Sequence, residues 1–187
     1  MNMENACLGI VNELKEMYRD WPGVVQFNGT EQRLSKLYEE LCWSPKKIEK
    51  ELARQVRIFD HNYKELLTQK GTDVWILCPH HLLPCHLRVT IGYAPIEGKV
   101  LGLSKFARIA KIMGKRPIMQ EEYTQELATF LYTNLNPRGV AVYVEGTHDC
   151  MIARGIEQDT SVVTRVMEGD YFNDKENKAE FLAMAKG

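Results

Sequence analysis

A change of hydrophobic period near residue 72 constrains this chain more than any other feature. Before it, apolar residues recur at helical spacing. After it, Val74-Trp75-Ile76-Leu77 forms a short apolar run, and Leu87, Val89, Ile91 and Tyr93 alternate along a segment ending at Pro95 and Gly98. The period then returns to helical. Ser104 is placed as the N-cap of a helix that turns Phe106, Ile109, Ile112 and Met113 inward and Lys105 and Arg108 outward, closed by Gly114 and Pro117. A second helix from about Glu121 to Leu135 buries Leu127, Phe130 and Leu131, and Asn136-Pro137-Arg138-Gly139 ends it. Alternation resumes with Val140, Val142 and Val144, then with Val162, Thr164 and Val166. The order strand, strand, helix, helix, strand, strand describes an α+β fold, a four-stranded antiparallel sheet with a helix pair over one face. The other face, with Thr90, Gly92, Ala141 and Tyr143, is mixed. A sheet this small has two edges that nothing in the sequence blunts, so a homo-oligomer is expected.

The segment before the change of period is helical, which divides the chain into an N-terminal helical segment, 1–71, and a sheet-bearing domain, 72–187. Ile10, Leu14 and Met17 define the inward face of a first helix that stops at Trp21-Pro22-Gly23. Thr30 is read as the N-cap of a second, with Leu34, Leu37, Tyr38 and Leu41 inward and Arg33 and Lys36 on an adjoining face. Ser44-Pro45 reads as an N-cap followed by proline at the first helical position, opening a third helix with Ile48, Leu52 and Val56 inward.

The chemistry concentrates in the turn between the first two strands of the sheet domain. Cys78-Pro79-His80-His81 places a thiol and an imidazole three positions apart, and a strand-like run returns Cys150 later in the chain. Three such donors hold a metal ion and leave a fourth position open, which is the arrangement of a catalytic site rather than a structural one. No Cys-x-x-Cys pair is present. Read from spacing alone, the bland alternative stands beside this one: buried cysteines and a histidine pair satisfied by backbone. Five cysteines at irregular spacing, with no signal peptide or apolar span, point to a reducing cytoplasm. The formal charge of −1 gives no general attraction to nucleic acid or to a membrane surface.

An ordered series of motifs resembles GTP cyclohydrolase I. It runs through Cys78-Pro79-His80-His81, Ile91-Gly92-Tyr93-Ala94-Pro95, Val100 to Lys105 with Arg108-Ile109, Arg116-Pro117 through Gln120-Glu121, and Gly139-Val140-Ala141-Val142. It continues with His148-Asp149-Cys150, Arg154-Gly155, Thr160-Ser161 and Glu180-Phe181-Leu182, while Thr30 through Lys36 resembles the family's N-terminal helix. The resemblance implies the tunnelling fold, and rings of subunits, typically two pentamers face to face, with active sites between subunits.

It further implies that Cys78, His81 and Cys150 hold zinc, which lowers the pKa of a bound water to about 7. The substrate implied is GTP and the products are formate and 7,8-dihydroneopterin triphosphate. His80 matches the acid that protonates the purine's five-membered ring, and His148 a second acid/base near the ribose. Glu121 matches the carboxylate that reads guanine, with Gln120 beside it. Ser104, Lys105, Arg108 and Arg154 match the triphosphate grip, and Arg33 and Lys36 further cations. His61 and His86 match no family site. The sequence departs from the family pattern at Pro79, usually acidic, at Glu122, usually basic, and at Leu87, where a turn glycine is usual. Other enzymes of the same fold would need three histidines on zinc or a nicotinamide cofactor. A silent zinc-stabilised paralogue would have lost a catalytic residue, and here all are present.

Overall fold

The computed structural model describes residues 2–96 and 99–186. Gly98, expected to help end the second strand, lies outside them. Two compact units are present, Met1–Trp43 and Ser44–Gly187.

In the first unit, helix α1 (Met3–Met17) is capped by Asn2, whose side chain accepts from the Asn5 amide at 2.9 Å. A 3-10 turn (Pro22–Phe27) leads to α2 (Thr30–Leu41). The buried face of α1 is Cys7 and Val11, whereas Ile10 and Met17 are exposed. The expected triplet 10, 14, 17 and the triplet 7, 11, 14 share Leu14, so periodicity identified the helix but chose the wrong flank. The cap of α2 is Gly29, in the left-handed region at φ 73°, rather than Thr30. The Thr30 hydroxyl instead accepts from Arg33 Nη2 at 3.0 Å. Leu37 is exposed, and Ser35 and Leu41 are the buried residues of this helix.

The second unit opens with α3 (Pro45–Ala53), where the Ser44 hydroxyl accepts from the Lys47 amide and proline occupies the first turn. Four strands then form one antiparallel sheet in the order β2-β3-β5-β6: β2 (Leu67–Leu77), β3 (Pro84–Ala94), β5 (Gly139–His148) and β6 (Val162–Gly169). A separate ribbon pairs β1 (Ile58–Asp60) with β4 (Lys99–Leu101). Strand β2 begins before the expected start because Gly71, at φ 66°, accommodates an irregularity between Gln69 and Thr72 that breaks the alternation.

Helices α4 (Leu103–Met113) and α5 (Gln120–Leu135) cover one sheet face. Phe106 of α4 meets Tyr93 of β3 with ring centroids 5.2 Å apart, over the buried Val89, Ile91, Val142 and Val144. Helix α4 is capped by Gly102 and not by Ser104, which lies inside the first turn; the Lys105 amide donates to the Gly102 carbonyl at 2.8 Å. Asn136, at φ 46°, ends α5 in the left-handed conformation expected of that turn.

After the one-turn α6 (Asp149–Ile152), the chain forms β6 and then α7 (Asp170–Asn173) and α8 (Lys175–Lys186). These last helices set Tyr171 and Phe181 on the opposite sheet face, against Ala94, Ala141 and Tyr143. That explains the mixed composition of this face: small residues lie under an aromatic pair. Gly92 is small for the same reason, since a Cβ there would sit 2.7 Å from the Phe181 ring. Strand order, antiparallel pairing and the helix pair are those of the tunnelling fold.

Candidate metal centre and active site

The β2–β3 turn is tied by the Cys78 amide donating to the Leu83 carbonyl and the Leu82 amide donating to the Cys78 carbonyl, both at 2.9 Å. Leu82 takes φ 53° to close it. Leu87 lies inside β3, as its alternation with Val89, Ile91 and Tyr93 implies, fully buried and opposite Val74 and Gly146, and not in the turn where the family pattern has its glycine. The β3–β5 register pairs Cys85 with His148, so the end of β5 arrives beside the turn. One residue further, α6 begins and delivers Cys150.

Cys78, His81 and Cys150 each offer a donor atom, and these atoms lie within 4.8 Å of one another. The Cys78 Sγ to His81 Nδ1 distance is 3.6 Å. Tetrahedral zinc with arms of about 2.3 Å to sulfur and 2.1 Å to nitrogen has an S···N edge of about 3.6 Å, so this pair already has the spacing a zinc ion requires. The Cys150 thiol is pushed up by burial and by Cys78 beside it, with Arg154 acting in the opposite direction. A thiol held protonated by burial and by a second sulfur beside it is what a divalent cation relieves. The donor set therefore fits a metal.

A third thiol, Cys85, is fully buried and pushed up to about 12, first by burial and then by Cys150 and Cys78. It is a protonated packing residue, which the sequence did not single out.

A cavity of about 200 Å³ adjoins the donors and is lined also by His80, Gln120, Glu121 and His148. Burial lowers the His148 pKa, and Glu121 opposes that shift. His148 Nε2 lies 2.8 Å from Gln120 Oε1. Gln120 is only 1% exposed, and its amide nitrogen lies near the carbonyls of Val144 and Val162 and the Thr164 hydroxyl, at 3.3, 2.9 and 3.1 Å. Thr124 and Thr164, which complete this network, carried no signal in the sequence beyond strand and helix membership.

Glu121 is exposed in the first turn of α5, with Glu122 next to it. Among the described residues lining the cavity, none is Ser104, Lys105, Arg108 or Arg154. The first three lie in the opening turns of α4, where Lys105 Nζ donates to Gln55 Oε1 at 3.3 Å. Arg154 follows α6, close enough to influence Cys150. Arg33 and Lys36 belong to the first unit; Lys36 pairs with Glu40 at 3.9 Å. Outside the cavity, His86 meets Asp73 at 2.9 Å and stacks on Trp75, and His61 Nδ1 accepts from the Tyr63 amide.

Fold and donor set together define a class: an α+β protein whose antiparallel sheet presents two cysteines and a histidine for a metal, beside a cavity lined by histidines and a carboxylate. The chain belongs to the GTP cyclohydrolase I family, whose model matches residues 11–186. It is 41% identical over 130 residues to GTP cyclohydrolase 1 of Dictyostelium discoideum, an alignment covering 69% of this chain and 56% of that one. With GTP cyclohydrolase 1 of Halalkalibacterium halodurans the identity is 37% over 159 residues, 84% of each chain. With that of Streptococcus mutans it is 34% over 175 residues, 93% of this chain and 90% of the other. The chain thus spans little more than half of the Dictyostelium protein and most of the two bacterial ones.

Proposed function

We propose that the protein is a zinc-dependent GTP cyclohydrolase I, converting GTP to 7,8-dihydroneopterin triphosphate and formate. The observation that carries this reading is the three-donor cluster beside a cavity shared by His80, Glu121 and His148, in a chain matched by the family over residues 11–186. Cys78, His81 and Cys150 hold the zinc, which when bound supplies an activated water as the nucleophile.

The chain's own groups do the rest. Glu121 accepts hydrogen bonds from the ring N–H and exocyclic amine of guanine and so orients the five-membered ring. His80, beside the zinc ligand, gives a proton to that ring's nitrogen as the ring opens. His148 moves protons near the ribose in the later rearrangement and reclosure. Ser104, Lys105, Arg108 and Arg154 grip the triphosphate, with Arg33 and Lys36 as further cations on the strength of the family resemblance.

Ser104, Lys105 and Arg108 stand outside the cavity wall of their own chain, which supports a site completed by a second copy. A homo-oligomeric ring, a decamer of two pentamers, meets that need, and β2 and β6 as the outer strands of the sheet offer edges for it. Residues 72–187 are the catalytic domain of this assembly, with its first sheet strand reaching back to Leu67, and 1–71 its mainly helical extension. No described helix is long and apolar enough to cross a membrane, and the reduced cysteine ligands suit a cytoplasmic enzyme.

The test is to incubate zinc-loaded protein with GTP and assay formate, together with a pterin that fluoresces after oxidation. Absence of both products from fully metallated protein would reject the reading.

A further inference from the structure

We infer that Gln120 is a positioning residue which fixes the nitrogen of His148 that carries a proton, rather than a group whose side chain touches the purine. The inference rests on the catalytic role proposed for His148, and its structural part follows from counting protons.

A threonine hydroxyl has one hydrogen to give. The Thr124 hydroxyl donates its hydrogen to the Gln120 backbone carbonyl at 2.7 Å. The contact of 2.7 Å between the Thr124 and Thr164 hydroxyls then requires Thr164 to be the donor. With its hydrogen committed, Thr164 offers Gln120 only a lone pair. The Val144 and Val162 carbonyls can only accept. All three groups around one end of the Gln120 amide are therefore acceptors, and that end must be the NH2. Turning the amide over would set its oxygen against three acceptors in a site that is 1% exposed, leaving buried groups unpaired.

The orientation of the amide dictates that of the imidazole. Gln120 Oε1, 2.8 Å from His148 Nε2, can only accept, so Nε2 carries a hydrogen whether the ring is neutral or charged. Nδ1 is left as the nitrogen that gives and takes a proton in the reaction.

A second observation shows that space is reserved for this amide. At Gly146 of β5 a Cβ would stand 2.3 Å from Gln120 Oε1 and 2.6 Å from Leu87 Cδ2. The sheet therefore has no side chain at the one place where it would push the amide off His148. The groups that hold Gln120 come from α5, β5 and β6, all rigid elements, as a group meant to fix another's geometry requires.

The experiment reads the tautomer directly. Zinc-loaded protein with 13C,15N-histidine is examined by solid-state NMR without GTP, and His148 is assigned by the signal lost in His148→Ala. The expected result is the Nε2–H tautomer in the parent, and a growing Nδ1–H population in Gln120→Met, which has no acceptor, and in Gly146→Ala, which displaces the amide. With GTP, both variants should lose about 10–100-fold in kcat, as groups behind a site residue do, with KM little changed. An Nδ1–H tautomer in the parent overturns the inference, even if neither variant folds. So does an unchanged tautomer in both variants, or a raised KM at constant kcat, which would mark Gln120 as a substrate contact. Should the parent show Nε2–H but turn over no GTP, the proposed function fails and the positioning of His148 by Gln120 stands.

Discussion

Phe181→Ala tests whether the aromatic cap on the second sheet face contributes to the stability of the domain. Phe181 is 1% exposed and meets Tyr171 edge-on with centroids 5.5 Å apart. Its other neighbours include Gly92, Ala94 and Ala141. Removing a buried phenylalanine costs about 3–5 kcal/mol, more where the cavity cannot collapse. Here the floor of the cavity is glycine and alanine on a hydrogen-bonded sheet that cannot move in, while Tyr143, Tyr171, Leu66, Met167 and Leu182 in and around the cluster close only part of it. The expected loss is therefore about 4 kcal/mol, or a fall in Tm of roughly 8–16 °C for a chain of this size. Denaturant unfolding at fixed protein concentration and fixed zinc measures it, since assembly and metal would otherwise shift the midpoint. Zinc content should not change, because Gly92 lies eight residues along β3 from Pro84 at the metal turn, about 26 Å at strand spacing. A loss under about 1 kcal/mol, with hydrogen exchange in α8 as slow as in the parent, would refute the packing argument.

Cys78→Ser and Cys150→Ser should each lose both the bound metal and the activity, because a neutral hydroxyl is a poor ligand for a borderline-soft ion; full zinc occupancy by elemental analysis in either variant would rule out that ligand. Glu121→Gln should cut discrimination between GTP and ATP by about 10⁴, since a site that pairs guanine's donors rejects a base lacking them, and an undiminished preference in competitive binding would leave Glu121 a mere helix-terminal acid. Burial raises the phenol pKa of Tyr93, Tyr123 and Tyr171. The stability they contribute is complete below the ordinary tyrosine value of about 10 and is lost as pH rises past it, so their phenolate absorbance should appear together with loss of circular dichroism. Light scattering should report an assembly far heavier than the 21.6 kDa chain, and a fully active monomer on dilution would contradict a site shared between copies.

The parts of this structure that follow one strong local rule were legible in the sequence. The alternation of Leu87, Val89, Ile91 and Tyr93 is the buried face of β3, and Ser44-Pro45 opens α3 as its cap chemistry requires. Where two rules compete, the sequence was ambiguous. Gly102 and Ser104 both suit a helix start, and the end of β4 at Leu101 decides for the glycine. Thr30 lost its cap role to Gly29 because a left-handed residue was needed there. The candidate donors Cys78, His81 and Cys150 were legible as a set through the family resemblance, since spacing alone left buried cysteines as an equal reading, and the fold brings their donor atoms together. The Gln120 network was not, because it depends on Thr164 and two carbonyls brought from β5 and β6, which no local pattern encodes. Cys85 was invisible for the same reason: its neighbours are set by strand register.

That register links the core to the chemistry. Cys78 and Cys150 approach because β3 and β5 pair Cys85 with His148, and a slip of one residue would carry His148 away from the turn and from Gln120. Such a slip also reverses every side chain of the shifted strand. Val140, Val142 and Val144, all 0% exposed, would leave the helix-covered face for the one occupied by Tyr171 and Phe181. At about 1.5–3 kcal/mol for each valine that loses its burial, the slip forfeits at most roughly 5–9 kcal/mol, comparable with the whole stability of an ordinary domain. The three candidate donors need contribute nothing to holding themselves in register. Hydrophobic alternation along β5, the plainest signal in the sequence, is what brings a cysteine from the end of one strand to a cysteine and a histidine in the turn before its neighbour.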